Sequence, residues 1–202
     1  MPMQISDTTS TRPGPDGRRR CPWALGSDLE REYHDVEWGA PVRDEAGLFE
    51  RLMLEANQSG LSWAIILAKR DRMRAAYADF DPDRVAQFDH DDVQRLLADP
   101  GVIRNRRKIE AAITNARAVL GLREGPGLVD LVWSHQPPPT PRPRHLGQVQ
   151  SQTEASAALA KALKKAGFVF VGLTTCHATM QAIGMVDDHL VDCEVTPNSP
   201  LT

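Results

Sequence analysis

From Asp44 onward, hydrophobic and polar positions follow a helical period along most of the chain. In "DEAGLFERLMLEANQSG" (44–60), Leu48 and Leu52 share a face with Ser59, and Gly60 ends the run. "LSWAIILAKRDRMRAAYADF" (61–80) predicts a second helix. "DPDRVAQF" and "DHDDVQRLLADPG" predict two short ones, each opened by Asp, with Pro82 and Pro100 as punctuation. In "IRNRRKIEAAITNARAVLGL", apolar residues at 109, 113, 116 and 120 predict a longer helix. Residues 134–152 hold five prolines and read as an extended surface loop. "TEASAALAKALKKAG" predicts a helix capped by Thr153 and stopped by Gly167. "FVFVG" has the composition of a strand, but one such run makes no sheet. "LTTCHATMQAIG" and "VDDHLVDC" (186–193) predict closing helices. The pattern describes an all-α body over residues 20–202. Before it, residues 1–19 are rich in Thr, Ser, Pro, Gly and Arg and read as a disordered leader.

Composition narrows the class. A chain of 202 residues suits one domain. Apolar residues make up 41%, enough for a core, and no apolar run approaches the length of a membrane span. The arginines at 18–20 are not followed by an apolar stretch, so they do not open a secretory signal. Three cysteines are too few for a secreted disulfide framework and point to a reducing cytoplasm. A monomer is the default expectation. Net charge is −3, so the chain carries no general basic footprint of a DNA binder. Basic clusters occur at Lys69–Arg74, at Arg104–Lys108, and at Lys161, Lys164 and Lys165. Each taken alone reads as a solvated helix face.

The cysteines raise a question of chemistry. On a helix, His189 and Cys193 would share one face, one turn apart. Two such ligands are half of a metal site. Cys176 sits in an apolar stretch and reads as a small buried residue. Cys21 and His34 supply the other half. Cys21, His34, His189 and Cys193 form a Cys₂His₂ set, which would close a tetrahedral structural zinc and leave no position for water. Free cysteines and surface histidines are the alternative reading. His90, His135, His145 and His177 have no such pairing.

Glu55 falls on the same narrow stripe as Leu48 and Leu52. It either swings to solvent, pairs with an arginine, or carries a function, because buried ionisable groups need a partner or a purpose. Aromatic residues are scarce, at 5%. Trp23, Tyr33, Trp38 and Trp63 nevertheless cluster in sequence around the same region, as core packing or as the wall of a pocket.

The segment "CPWALGSDLEREYHDVEWGAPVRDEAGLFERLMLEANQSGLSW" (21–63) closely resembles the start of the 3-methyladenine DNA glycosylase I family. "DPGVIRNRRKIEAAITNA", "VDLVWSHQP" and "ALAKALKKAGFVFVGLTTCHATMQAIGMVDDHLVDC" resemble later blocks of that family, in order. The resemblance covers residues 21 to about 197. It implies an all-α helix-hairpin-helix fold, with a structural zinc on Cys21, His34, His189 and Cys193 joining the two ends. It implies a monofunctional enzyme that flips 3-methyladenine out of alkylated double-stranded DNA and cuts its N-glycosidic bond. Glu55 matches the family's base-recognising glutamate. By the same resemblance Tyr33 and Trp63 contact the flipped base and Trp23 lines its pocket, while Trp38 reads as core packing or a pocket wall. Gly60 and Leu61 would approach the gap in the duplex. Gly101, Arg104, Arg106 and Lys108 would grip the DNA backbone. The chain departs from the family pattern at Ala56, Asn57, Ile103 and His177.

Two other function classes stand beside this one. A zinc-stabilised lesion-binding module would keep the basic hairpin but would not need Glu55. A zinc hydrolase or deaminase would need an open coordination site, and a deaminase an H-x-E…P-C-x-x-C pattern, which is absent.

Overall fold

The computed structural model describes residues 10–197. The chain opens with a short antiparallel pair, β1 (Arg12–Pro13) and β2 (Arg19–Arg20). Nine helices follow among the described residues. They are α1 (Asp28–Val36), α2 (Glu45–Gln58), α3 (Trp63–Ala76), α4 (Pro82–Val85) and α5 (His90–Ala98). Then come α6 (Arg106–Leu122), α7 (Gly127–Trp133), α8 (Glu154–Lys165) and α9 (Leu173–Ala182). The body is helical, as the periodicity predicts.

Polar residues set the helix starts. Asp44 accepts from the Gly47 amide, Asn105 from Lys108, and Thr153 from Ser156. Asp89 and Asp92 form a reciprocal capping box at the start of α5. Each cap supplies a partner to an amide that the helix itself leaves open. Two helices escape the periodicity. For α1 the warning was a cap, Ser27, accepting from Glu30 N–H at 3.2 Å. The other, α7, has only seven residues after a Gly-Pro-Gly turn.

The central element is α2. Its second half is buried all round, through Leu52, Met53, Leu54, Glu55, Ala56 and Asn57. It packs on α3, α6, α7 and α9. The main core joins it to Ile66 and Met73 of α3, Ile109 of α6, and Met180 of α9. An ion-pair network fastens its outer face. Arg70 binds Glu37 and Glu50, each at 2.8 Å, and Arg51 reaches Glu37 at 2.5 Å.

Several expectations need correction. The segment described from residue 10 to residue 19 is not a loose leader. The Glu194 amide donates to the Arg19 carbonyl, and the Arg19 amide donates to the Glu194 carboxylate. The Arg18 guanidinium also binds the Glu194 carbonyl, so the segment is paired with the far end of the chain. Residues 1–9 lie outside the described residues. "FVFVG" forms no strand, and Phe170 adopts a left-handed conformation there, with φ of 58°.

"VDDHLVDC" is not a helix either. Gly184 ends α9 with φ of 69°, and a Cβ there would lie 2.4 Å from the Gly39 carbonyl oxygen. Asp187 then accepts from both the amide and the ring of His189, a local bond that competes with helix formation.

The loop 99–105 between α5 and α6 carries further corrections. The Gly101 amide is taken by Asp99 Oδ1 at 2.8 Å, so it is not open to a phosphate. Glycine is required there for close approach, since a Cβ would meet Arg72 Cγ at 2.2 Å. Lys108 turns inward. Its ammonium donates to the carbonyls of Asn57 and Ser59 at 2.8 and 2.7 Å, and so holds the C-terminal end of α2 rather than DNA. Burial lowers its pKa from the ordinary lysine value. Replacing Lys108 with Met should cost about 1–3 kcal/mol, because two inward carbonyls lose a charged donor. Urea unfolding measures this; unchanged stability together with weaker DNA binding would return Lys108 to the DNA-facing set.

Candidate functional site

A cavity of about 320 Å³ opens beside the buried half of α2. Its lining comes from many parts of the sequence. Trp23 follows β2, Glu30 and Tyr33 come from α1, and Trp38 follows that helix. Glu55 and Gln58 come from α2, and Trp63 opens α3. The proline-rich loop adds Leu146 and Val149, and α9 adds Ala178 and Gln181, with Asp188 just beyond. All five residues expected around the base, Glu55, Tyr33, Trp23, Trp38 and Trp63, line this one space.

The aromatic rings pack against one another as walls. Tyr33 and Trp63 lie 5.2 Å apart at 53°, and Trp23 meets Trp38 edge-on at 5.1 Å. Tyr33 is fixed from behind. The guanidinium carbons of Arg51 and Arg70 each lie 5.8 Å from its ring centroid. Its hydroxyl is buried without a hydrogen-bond partner in the protein. Such a group sits ready for a polar ligand.

Glu55 is 9% exposed. Burial pushes its carboxyl up to about 8, opposed by the charge of Arg51 one helical turn before it. The arginine does not form a direct ion pair with it; Arg51 is bound to Glu37 instead. Glu55 therefore neither swings to solvent nor joins a structural salt bridge. Glu30 and Asp188 add two more carboxylates to the lining, and no lysine or arginine lines the cavity among the described residues. Aromatic walls with acidic groups suit a flat, positively charged ligand.

Next to the cavity lies a buried donor cluster. The ligand atoms of Cys21, His34 and Cys193 all lie within 4.8 Å of one another, a group able to hold a metal ion. Cys193 Sγ is 3.6 Å from His34 Nε2. All three cysteines of the chain are free thiols. His189 stands beside the group, its ring centroid 5.0 Å from that of His34. Its Nε2 is buried and has no partner. In each histidine a carboxylate takes the other nitrogen: Asp35 Oδ1 lies 2.9 Å from His34 Nδ1, and Asp187 Oδ1 2.9 Å from His189 Nδ1. That is how metal-binding imidazoles are commonly oriented. The donor set of Cys21, His34 and Cys193 therefore fits a metal ion.

On the surface, Gly60 is exposed with φ of 81°, and nothing lies within 4 Å of where its Cβ would be. Leu61 is half-buried. It lines a shallow groove with Ile65, Lys69, Leu97, Ile103 and Arg104. Arg104 and Arg106 are exposed. The Gly60 turn thus lies between the cavity, through Gln58, and the loop before α6.

Glu30, Gln58, Leu146, Val149, Ala178, Gln181 and Asp188 were not singled out by pattern. Acidic residues at a helix start read as caps, and the proline loop gives no sign of which of its residues turn inward. Only the adjacency of Asp188 to His189 was a usable signal.

Comparison with known proteins agrees with this architecture. A family model described as methyladenine glycosylase matches residues 23–196. The chain is 48% identical over 184 residues to DNA-3-methyladenine glycosylase 1 of Escherichia coli, covering 89% of this chain and 98% of that protein. A crystal structure of 3-methyladenine DNA glycosylase I superposes with a TM-score of 0.84 at 45% identity, over 90% of this chain and 100% of that one. A structure from Staphylococcus aureus, described as the basis of 3-methyladenine recognition by that enzyme, gives a TM-score of 0.81 at 32% identity. It covers 87% of this chain and 95% of its own. With a family match over most of its length and a relative sharing nearly half its residues, the chain belongs to the methyladenine glycosylase family.

Proposed function

We propose that this chain is a monofunctional base-excision repair glycosylase that hydrolyses the N-glycosidic bond of 3-methyladenine in DNA and leaves an abasic site. The observation that carries the reading is Glu55, a carboxyl buried without an ion-pair partner in an aromatic cavity that no basic residue lines. The relatives' names supply the substrate, 3-methyladenine.

The chemistry follows from the lesion. Methylation at N3 leaves the adenine cationic and already weakens its bond to C1′. The flipped base enters the cavity against Tyr33 and Trp63, with Trp23 and Trp38 as further walls. Unstacking it costs roughly a few kcal/mol. Glu55 accepts a hydrogen bond from the exocyclic amine and balances the positive charge in a site of low polarity. When the bond breaks, its electron pair leaves with the base, which becomes neutral. The positive charge moves to the sugar, where the same carboxylate still favours it. Water adds to C1′ and releases a proton. No lysine lines the cavity among the described residues, so there is no amine for a Schiff base and strand cleavage is not part of the reaction.

The helix pair α5 and α6 with the loop 99–105 serves as the helix-hairpin-helix grip on double-stranded DNA, through Arg104 and Arg106. Gly60 and Leu61 approach the gap left by the base. Cys21, His34, His189 and Cys193 hold one structural zinc; when bound, it supplies a cross-link between the chain ends and no chemistry. The Asp187 bond to His189 and the orphaned His189 Nε2 support the fourth ligand. The protein acts as a monomer in the cytoplasm. No helix among the described residues is long and apolar enough to cross a membrane. A lesion-binding module without catalysis is the competing reading, and nothing in it calls for a buried carboxylate.

The test is release of free bases from methylated duplex DNA. Wild type should free 3-methyladenine, and Glu55→Gln should lose on the order of 10²-fold or more while remaining folded. Full activity in that variant would remove Glu55 from the reaction.

pH adds a second readout. The folded carboxyl titrates near 8, against an ordinary glutamate value of 4.5. The folded protein therefore holds a proton that the unfolded chain has released, and stability falls as pH rises between these values. For the same reason kcat/KM should rise with pH and level off above about 8. Glu55→Gln should abolish both trends, and a wild-type profile flat from pH 6 to 9 would contradict the assignment.

Metal content tests the cluster. Cys193→Ala should purify without zinc and lose roughly 3 kcal/mol or more of stability. Elemental analysis finding no zinc in the wild type would end that part of the proposal.

A further inference from the structure

Two carboxylates besides Glu55 line the cavity, and of these Asp188 is engaged by Gln181 and His177 while Glu30 is engaged by neither. Glu30 lies in the first turn of α1 and is half-buried, whereas Glu55 is enclosed. At this position after a Ser cap, a glutamate ordinarily folds back onto the amide of the capping residue. Glu30 does not. Its Oε2 accepts instead from the Ser27 hydroxyl at 2.9 Å, while its own amide donates to the Ser27 hydroxyl oxygen. The carboxylate also rests against Gly26, where a Cβ would lie 2.5 Å from Oε2. The Ser27 hydroxyl and the close approach at Gly26 thus fix a carboxylate on the cavity wall, with no lysine or arginine among the described lining residues to neutralise it.

We propose that Glu30 is a specificity-determining residue of the cavity, whose carboxylate selects bases that arrive with a positive charge. This rests on the glycosylase reading and assigns a division of labour within it. Glu55 meets the base at its deepest point and acts through bond breaking. Glu30, nearer solvent, attracts the cation on entry. The charge leaves the base as the bond breaks, so an interaction with the base's charge contributes to the bound state and is lost in the product. It therefore acts on KM; being no stronger in the transition state than in the bound state it does not raise kcat, and it does not hold the neutral product.

The experiment compares wild type, Glu30→Gln and Glu30→Asp on methylated duplex DNA, with thermal unfolding as a control for folding. The amide of Glu30→Gln still accepts from Ser27, so the cap is retained. Glu30→Gln should raise KM about three- to fivefold with kcat within about twofold. Glu30→Asp, which restores the charge, should recover most of the loss. The ratio of the two KM values should shrink as salt is raised, because a partly exposed charge is screened. Binding of neutral 3-methyladenine at pH 8 should be unchanged.

A KM that falls in Glu30→Gln would show that Glu30 merely repels DNA phosphates and would overturn the proposal. An unchanged KM, or an equal loss for the neutral base, would do the same. If wild type itself frees no base, the glycosylase reading fails, which is distinct from a wild type that works and a Glu30→Gln variant that matches it.

Discussion

The cavity exists because the two ends of the chain are held against each other. Cys21 and His34 come from the N-terminal side, Cys193 and His189 from the C-terminal side, and three of the four stand beside a cavity residue. Trp23 lies two positions after Cys21, Tyr33 immediately before His34, and Asp188 immediately before His189. The ring contacts continue this link, since Trp38 packs on His189 at 4.6 Å and Trp23 on His34 at 5.2 Å. The donor cluster thereby fixes three walls of the cavity. The pairing of Arg19 with Glu194 and the Arg20–Asp35 ion pair reinforce the same closure.

Against those walls stands a single central helix. Its outer face is tied by Glu37, Glu50, Arg51 and Arg70, and its end is held by Lys108. The network satisfies its own charges almost completely and leaves Glu55 out. That omission places a carboxyl in an apolar setting at a cost in stability, as happens where function demands it. The arginines stand behind Tyr33, outside the cavity lining, so no arginine among the described residues offsets the acidic groups of the cavity.

Much of this was legible in the sequence. Caps, prolines and periodicity located seven of the nine helices among the described residues, and the stripe holding Glu55 pointed to a carboxylate that the structure buries. What escaped depends on distant partners. Order in residues 10–19 requires Glu194, about 175 positions away. The fate of "VDDHLVDC" was set by carboxylates that bind their own backbone, which hydrophobic spacing does not register. Lys108 has neighbours that are exposed arginines, and nothing local says that it alone points inward. Leu146 and Val149 come from a proline-rich stretch whose pattern shows only that it is not helical.

The Lys108 bond has a mechanical meaning. It rivets the first turn of α6, just after the loop 99–105, to the end of the helix that carries Glu55. The separation between that loop and the cavity beside α2 is therefore fixed, like the jaws of a calliper set to one gap. Under the proposed glycosylase function a base has to leave the stack to reach such a cavity, so a fixed span would gauge extrusion before charge is read.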